Sequence, residues 1–307
     1  MGLTHFPKGV SSFGIPVMGS GSSIPVTTGK YFYVDSSLGN AGNTGLEPTA
    51  ALATIAQAIT KCTASKGDVI IVMPGHAETV ATATAFNLNK IGVSIVGLGQ
   101  GTLRPTISLS LAAATLTISA ASCSMKNLIV QSAIADVLIA ITITGANCTI
   151  ENVEFPEPTA DINIHTCIST TGNYTTINAC KRYSIDASVK AMISVLGNVT
   201  GLTVANCLDQ HTYGADIGQF IILGASDCIN TLITNNILHV SGNNSAQTAG
   251  NLITGSSTVS DGTVSYNLIG GVDVTGLVDT ATLEFSHFEN YLCGIAAKSG
   301  LILPAIS

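Results

Sequence analysis

Met125-Lys-Asn127-Leu128, Ile150-Glu-Asn152-Val153 and Val204-Ala-Asn206-Cys207 are three copies of one pattern, apolar-x-Asn-apolar. A copy with Ala in place of Asn stands at Ile177-Asn-Ala179-Cys180, and looser copies at Asn236-Ile237 and Asn267-Leu268. Taken at these positions, the spacings are 25, 27, 27, 30 and 31 residues. Between the copies lie short β-branched runs separated by Gly, Asn, Ser and Asp, and no helical period survives from Gly101 to about residue 293. A period in the twenties with short strands and no helices is the signature of a β-solenoid. Leucine-rich repeats share the period but need a Leu-dense consensus that is missing, and a propeller blade needs about 40–45 residues. The pattern therefore predicts an all-β fold, a parallel β-helix of about seven to eight coils. Like residues then sit above like at about 4.8 Å, so Ile, Val, Cys and Asn form columns. A stacked Asn bonds the amide or backbone of the next coil. Stacked charges repel, which favours Ser, Thr and Asn on the outside.

Upstream of the repeats, Tyr31-Phe-Tyr-Val34 reads as a strand, followed by a turn-rich stretch to Gly45. One helix is expected from Thr49 to Cys62, with Thr49 as N-cap and Leu52, Ile55, Ala56 and Ile59 on one face. It is placed to cover the open first end of the stack, and the apolar tail Leu301–Ile306 to cover the last or to meet a partner. Residues 1–30 hold too much Pro and Gly for regular structure, yet are too apolar for a solvated linker. They read as an extended docking arm whose contacts are Phe6, Pro7, Phe13, Ile15, Pro16, Val17, Met18 and Ile24. The expected organisation is 1–30 arm, 31–67 opening strand, turn and capping helix, and 68–307 β-helix with its C-terminal cap.

Composition removes several functions. The 307 residues carry a net charge of −7, only 9% are charged, and two Arg occur, Arg104 and Arg182. Nucleic-acid binding needs a basic footprint, which is missing. Mean hydropathy is +0.47, which excludes disorder. The best apolar run, Val137–Ile143, is far short of the roughly 20 residues of a membrane span. The first residues lack the apolar core of a signal peptide. Charges so sparse imply either a Ser/Thr/Asn surface or one largely covered by partners. The eight cysteines form no CxxC pair. The 25-residue step from Cys123 to Cys148 and the 27-residue step from Cys180 to Cys207 suggest recurrence at one repeat position, as buried free thiols.

The run Tyr31-Phe-Tyr-Val-Asp35, Gly45-Leu-Glu-Pro48, the Ala-rich helix and Gly67-Asp-Val-Ile-Ile-Val-Met-Pro-Gly75 resemble the opening of right-handed parallel β-helix proteins of the pectate-lyase-like superfamily. Residues 2–19, with Phe6-Pro-Lys-Gly9 and Ser12-Phe-Gly-Ile-Pro16, are similar to the leader of β-helix proteins encoded among tailed-bacteriophage virion genes. That resemblance implies a non-enzymatic virion protein. It would be made in the host cytoplasm and would decorate or cement the capsid surface through its arm. Its partners would be the major capsid protein and its own copies in a homotrimer.

The alternative is a tail-spike or fibre module that binds, or cleaves, host surface polysaccharide. Sugar-cleaving sites need facing carboxylates. Asp209, His211, Tyr213 and Asp216 form the best local cluster. Glu151, Glu154 and Glu157 are a second, in a segment, Glu154-Phe-Pro-Glu-Pro158, that reads as a solvated loop. Neither is flanked by Trp or a dense group of Tyr, so no enzyme activity is expected. Gly97-Leu-Gly-Gln-Gly101 reads as a turn, since no helix follows to make a phosphate loop. His76 and Glu78 read as a pair that orders a turn. No metal spacing and no cofactor motif is present. A cellular adhesin is disfavoured by the missing export signal.

Overall fold

The computed structural model describes residues 11–12, 15–16, 24–157, 159, 162–185, 191–211, 219–224, 227–240, 252–255, 259–271, 284–294 and 300–302. They form a right-handed parallel β-solenoid of about seven turns. Three sheets run its length, of ten, ten and seven strands. The first sheet runs from Tyr31–Val34 to Glu284–Phe288. The second begins at Ala77–Val80 and the third at Asn87–Leu88. Among the described residues, strand pairing within the three sheets is parallel except for Gly300–Ile302, which adds antiparallel to Asn290–Gly294 at the last edge of the second sheet.

The interior is built of columns. In the third sheet Leu116, Ile141, Ile168, Ile193, Ile221 and Ile253 stand in register, each fully buried. The first sheet stacks Ile95, Met125, Ile150, Ile177, Val204 and Ile233. Burying each such side chain stabilises the fold by about 1.5–3 kcal/mol before ordering costs. Outside the first sheet the same register stacks hydroxyls, Ser94, Ser124, Thr149, Thr176 and Thr203. Ser124 Oγ donates to Ser94 Oγ at 2.9 Å. Much of the missing charge is thus replaced by a neutral hydroxyl face.

The repeated Asn marks the corner between the first and second sheets. Asn127, Asn152, Ala179 and Asn206 all have φ between 53° and 57°, the left-handed conformation that Asn tolerates best among residues with a Cβ. The looser copies are one residue out of step. The left-handed residues there are Asn235 and Tyr266, with Glu289 next, giving spacings of 29, 31 and 23 after Asn206. Asn236, Asn267 and Asn290 instead occupy the following, inward position, which earlier coils fill with Leu128, Val153, Cys180 and Cys207. There they form a closed amide ladder. Asn236 Oδ1 accepts from Cys207 N at 2.9 Å, and Asn236 Nδ2 donates to Val204 O and Asn267 Oδ1, both at 3.0 Å. Asn267 repeats this toward Ile233 O and Asn290 Oδ1.

The helix is shorter than the sequence suggests. Pro48–Ala50 is a 3-10 turn, and the α-helix, α1, is Ile55–Lys61. Thr54, not Thr49, is the N-cap. Its hydroxyl accepts from Gln57 N at 3.2 Å, while the Gln57 carboxamide accepts from Thr54 N. Leu52 is not helical because it bridges Val34. α1 buries Ile55, Ala58 and Ile59 against the first coils and covers that end of the stack. The cysteines also occupy two columns rather than one. Cys123 and Cys148 precede first-sheet strands, whereas Cys180 and Cys207 precede second-sheet strands. All seven described cysteines are free and buried.

Candidate functional site

The acidic cluster expected around Asp209 is not a surface site. Alternation along Lys181–Ser184 and Leu208–His211 turns Arg182 and Asp209 inward, directly opposite each other on adjacent coils. Arg182 Nε donates to Asp209 Oδ1 at 2.7 Å and Nη2 to Oδ2 at 2.6 Å, and both side chains are fully buried. The pair sits in a column with Phe155 before it and Leu238 after it. A carboxylate held this way cannot reach a substrate. The backbone of His211 ends that strand; its side chain, Tyr213 and Asp216 lie outside the described residues.

The second acidic group is also split. Glu154–Pro156 is a strand of the second sheet, not a loop, because Phe155 fills the core. Glu154 Oε2 accepts from Arg104 Nη2 at 3.1 Å, and Glu151 Oε2 meets Lys126 Nζ at 2.7 Å. Glu157 is buried and accepts from Ile185 N at 3.1 Å. Burial pushes its carboxyl up, and the Ser184 hydroxyl and the Arg182 charge offset part of that. His76 and Glu78 do pair, at 3.2 Å. The same Glu78 oxygen accepts from Ile55 N at 2.9 Å, fastening the turn to the start of α1.

Of the expected arm contacts, Phe6, Pro7, Phe13, Val17 and Met18 lie outside the described residues. Ile15–Pro16 pairs antiparallel with Ser11–Ser12. Ile24 is not on a free arm. With Tyr31, Tyr33, Met73 and Leu98 it packs over Val69, Ile71 and Val96 on the outside of the first sheet. Residues 24–30 are fastened to the body as well: Tyr31 Oη donates to Pro25 O at 3.0 Å and Thr27 Oγ1 to Gly67 O at 2.6 Å.

The geometry offers a different site, at the corner where the first sheet turns into the second. A groove of about 790 Å³ opens there, lined by Gln100, Arg104, Lys126, Asn127, Glu151 and Asn152. The loop from Gly97 to Gly101 is one wall. It lies so close that a Cβ on Gly97 would stand 2.2 Å from Asn127 O. Asn127 Nδ2 ties the loop down through Gly97 O (2.8 Å) and Gly99 O (3.1 Å), and Asn152 Nδ2 donates to Asn127 Oδ1 (2.8 Å). Arg104 is nearly enclosed, and its Nε has no partner among the described residues. Two cations are neutralised by two carboxylates, leaving a net-neutral groove rich in amides and backbone carbonyls. Sequence reasoning read Asn127 and Asn152 as ladder residues and Gly97–Gly101 as a turn, and missed that together they wall a groove. One of only two Arg in the chain was the signal.

Among the described residues no group of three His, Cys, Asp or Glu side chains is placed to hold a metal ion, and no helix is long and apolar enough to cross a membrane. No protein-family model and no curated protein matches the sequence. Solved structures do match the fold. The chain aligns with pectate lyase Pel9A at a TM-score of 0.56 and 13% identity, over 91% of this chain and 81% of that one. It aligns with pectin methylesterase PemA from Erwinia chrysanthemi at 0.53 and 15% identity, over 89% and 92%. A pectin methylesterase in complex with a hexasaccharide gives 0.53 and 15% identity, over 89% and 93%. At these identities the likeness is one of fold: the chain is similar to pectate-lyase-like parallel β-helices.

Proposed function

We propose that the chain is a structural, non-enzymatic solenoid of a tailed-phage virion, coating the capsid surface as a homotrimer through its N-terminal arm. The supporting observation is the fate of the acids. The best candidate for sugar chemistry, Asp209, is sealed in the core against Arg182, and Glu151 and Glu154 are held by cations. What remains is a rigid rod with a neutral hydroxyl face, preceded by an apolar leader like those of virion β-helix proteins. Arms buried between capsid subunits contribute about 25 cal/mol per Å² before ordering costs, and three arms on one trimer act together. Because Ile24 and Pro25 are already fastened to the rod, the docking segment is residues 1–23. Immunogold labelling of virions tests the reading: dense label over the head supports it, and label at the tail tip or none overturns it. Deleting residues 2–22 is expected to leave the fold intact and abolish capsid binding.

A second reading is a spike or fibre module that holds host-surface polysaccharide. The neutral amide groove favours it, as does the fold shared with enzymes named for pectin. Binding of the purified chain to polysaccharide, with polymer length unchanged on long incubation, is its test.

A further inference from the structure

The groove does not stand alone on its corner. The left-handed residues Asn127, Asn152, Ala179, Asn206, Asn235 and Tyr266 occupy the same position in successive coils, so they mark a straight line along the rod. Five strand spacings separate the first from the last, about 24 Å. Polar amides dominate that line: Asn152 Nδ2 donates to Asn127 Oδ1 at 2.8 Å, and Asn206 Nδ2 reaches Asn178 Oδ1, one residue before Ala179, at 2.8 Å. At its far end three aromatic rings face solvent. Tyr266, Phe288 and Tyr291 are 48%, 52% and 45% exposed, values far from those of core aromatics. Tyr266 and Phe288 meet edge to face with centroids 5.4 Å apart, which holds both rings in place. Phe288 ends the first-sheet strand, Tyr291 opens into the second, and Tyr266 sits on the line between them.

We infer that this corner is a binding track for a linear, uncharged polysaccharide, seated in the groove at Gln100 and Arg104 and resting on the Tyr266–Phe288–Tyr291 platform at the other end. The inference rests on the second reading above and names its site and ligand class. Three features select that class. A pyranose repeat is about 5 Å long, close to the strand spacing of about 4.8 Å, so a chain laid along the rod meets one coil per sugar. The exposed carboxamides of Gln100, Asn206 and Asn235 supply both donors and acceptors for hydroxyls. Aromatic faces pack against the C–H face of a sugar ring. An acidic polymer is disfavoured, because Arg104 and Lys126 are engaged by Glu154 and Glu151. From Gln100, one coil before Asn127, to Tyr291, one coil after Tyr266, the track spans seven strand spacings, so affinity grows with ligand length up to about seven sugars and little beyond.

The test is affinity electrophoresis of the full chain through gels containing dextran, laminarin, mannan or galactomannan, with polygalacturonate as the charged comparison. Retardation by at least one neutral polymer is expected. It should weaken at least tenfold in Tyr266→Asn, a residue suited to that backbone conformation, and in Phe288→Ser. Gln100→Ala, on an exposed loop where the fold does not depend on it, should weaken it about fivefold. Retardation unchanged in Gln100→Ala and in the folded aromatic variants overturns the track while leaving polysaccharide binding in place. Retardation by polygalacturonate alone overturns the neutral class. No retardation by any polymer overturns both the track and the second reading.

Discussion

Arg182 and Asp209 form a two-bond ion pair across adjacent coils, between Phe155 and Leu238 of the same column. Removing one partner leaves a buried charge uncompensated, which costs about 3–5 kcal/mol. Asp209→Ala should therefore lower the urea midpoint severely. The double replacement Arg182→Met with Asp209→Leu, which continues the column from Phe155 to Leu238, should recover wild-type stability or exceed it. A double variant as unstable as the single one would refute this account.

The inward amide ladder gives a second expectation. Asn267→Leu places at that position the residue found at Leu128, yet it orphans Asn236 N–H and Ile233 O and removes one of the two acceptors of Asn236 Nδ2, which keeps Val204 O. A loss of about 2–4 kcal/mol is expected. Cys207→Val, one coil before the ladder begins, should cost less than about 1.5 kcal/mol. Denaturation curves for the two variants compare them directly.

Ala179 is the misfit on the left-handed line, with φ of 53°. Ala179→Asn should stabilise by about 0.5–1 kcal/mol and extend the outer ladder between Asn152 and Asn206. Ala179→Val, β-branched at a positive φ, should destabilise by at least about 1 kcal/mol. Melting temperatures moving in the same direction for both would count against the conformational explanation.

The thiols predict a pH response. Burial pushes Cys62 and Cys228 up to about 12 and Cys123 to about 11. The folded state then holds protons that the unfolded state releases from about pH 9 upward. Stability is insensitive to these groups below pH 8 and falls from about pH 9 toward 12. Iodoacetamide at pH 8, followed by peptide mass analysis, should leave all three unmodified in the native protein and label them in urea.

The solenoid was legible because stacking forces repetition: Asn127, Asn152 and Asn206 recur where each coil must turn left-handed. The register was lost where two Asn stand side by side. Asn235-Asn236 puts one amide in the turn and the next inside, and spacing does not say which is which. Helix α1 was overextended because Leu52 has helical spacing to Ile55 but is drawn into a bridge with Val34. Asp209 does not show its burial in the sequence because its partner, Arg182, lies 27 residues away, next to it only once the coils are stacked. The groove was invisible for the same reason: Arg104 and Glu154 meet across 50 residues of chain.

The change from Leu128, Val153, Cys180 and Cys207 to Asn236, Asn267 and Asn290 also governs how such a rod can alter its length. A duplicated or deleted coil in the first half meets an apolar neighbour above and below, and any small hydrophobic residue joins it. In the second half each newcomer must bring its own carboxamide or break the chain of bonds on both sides. At this position alone, gain or loss of a whole coil is therefore easier before the Arg182–Asp209 pair than from Asn236 onward, so that the early coils are the more adjustable part of the rod and the late ones the more fixed.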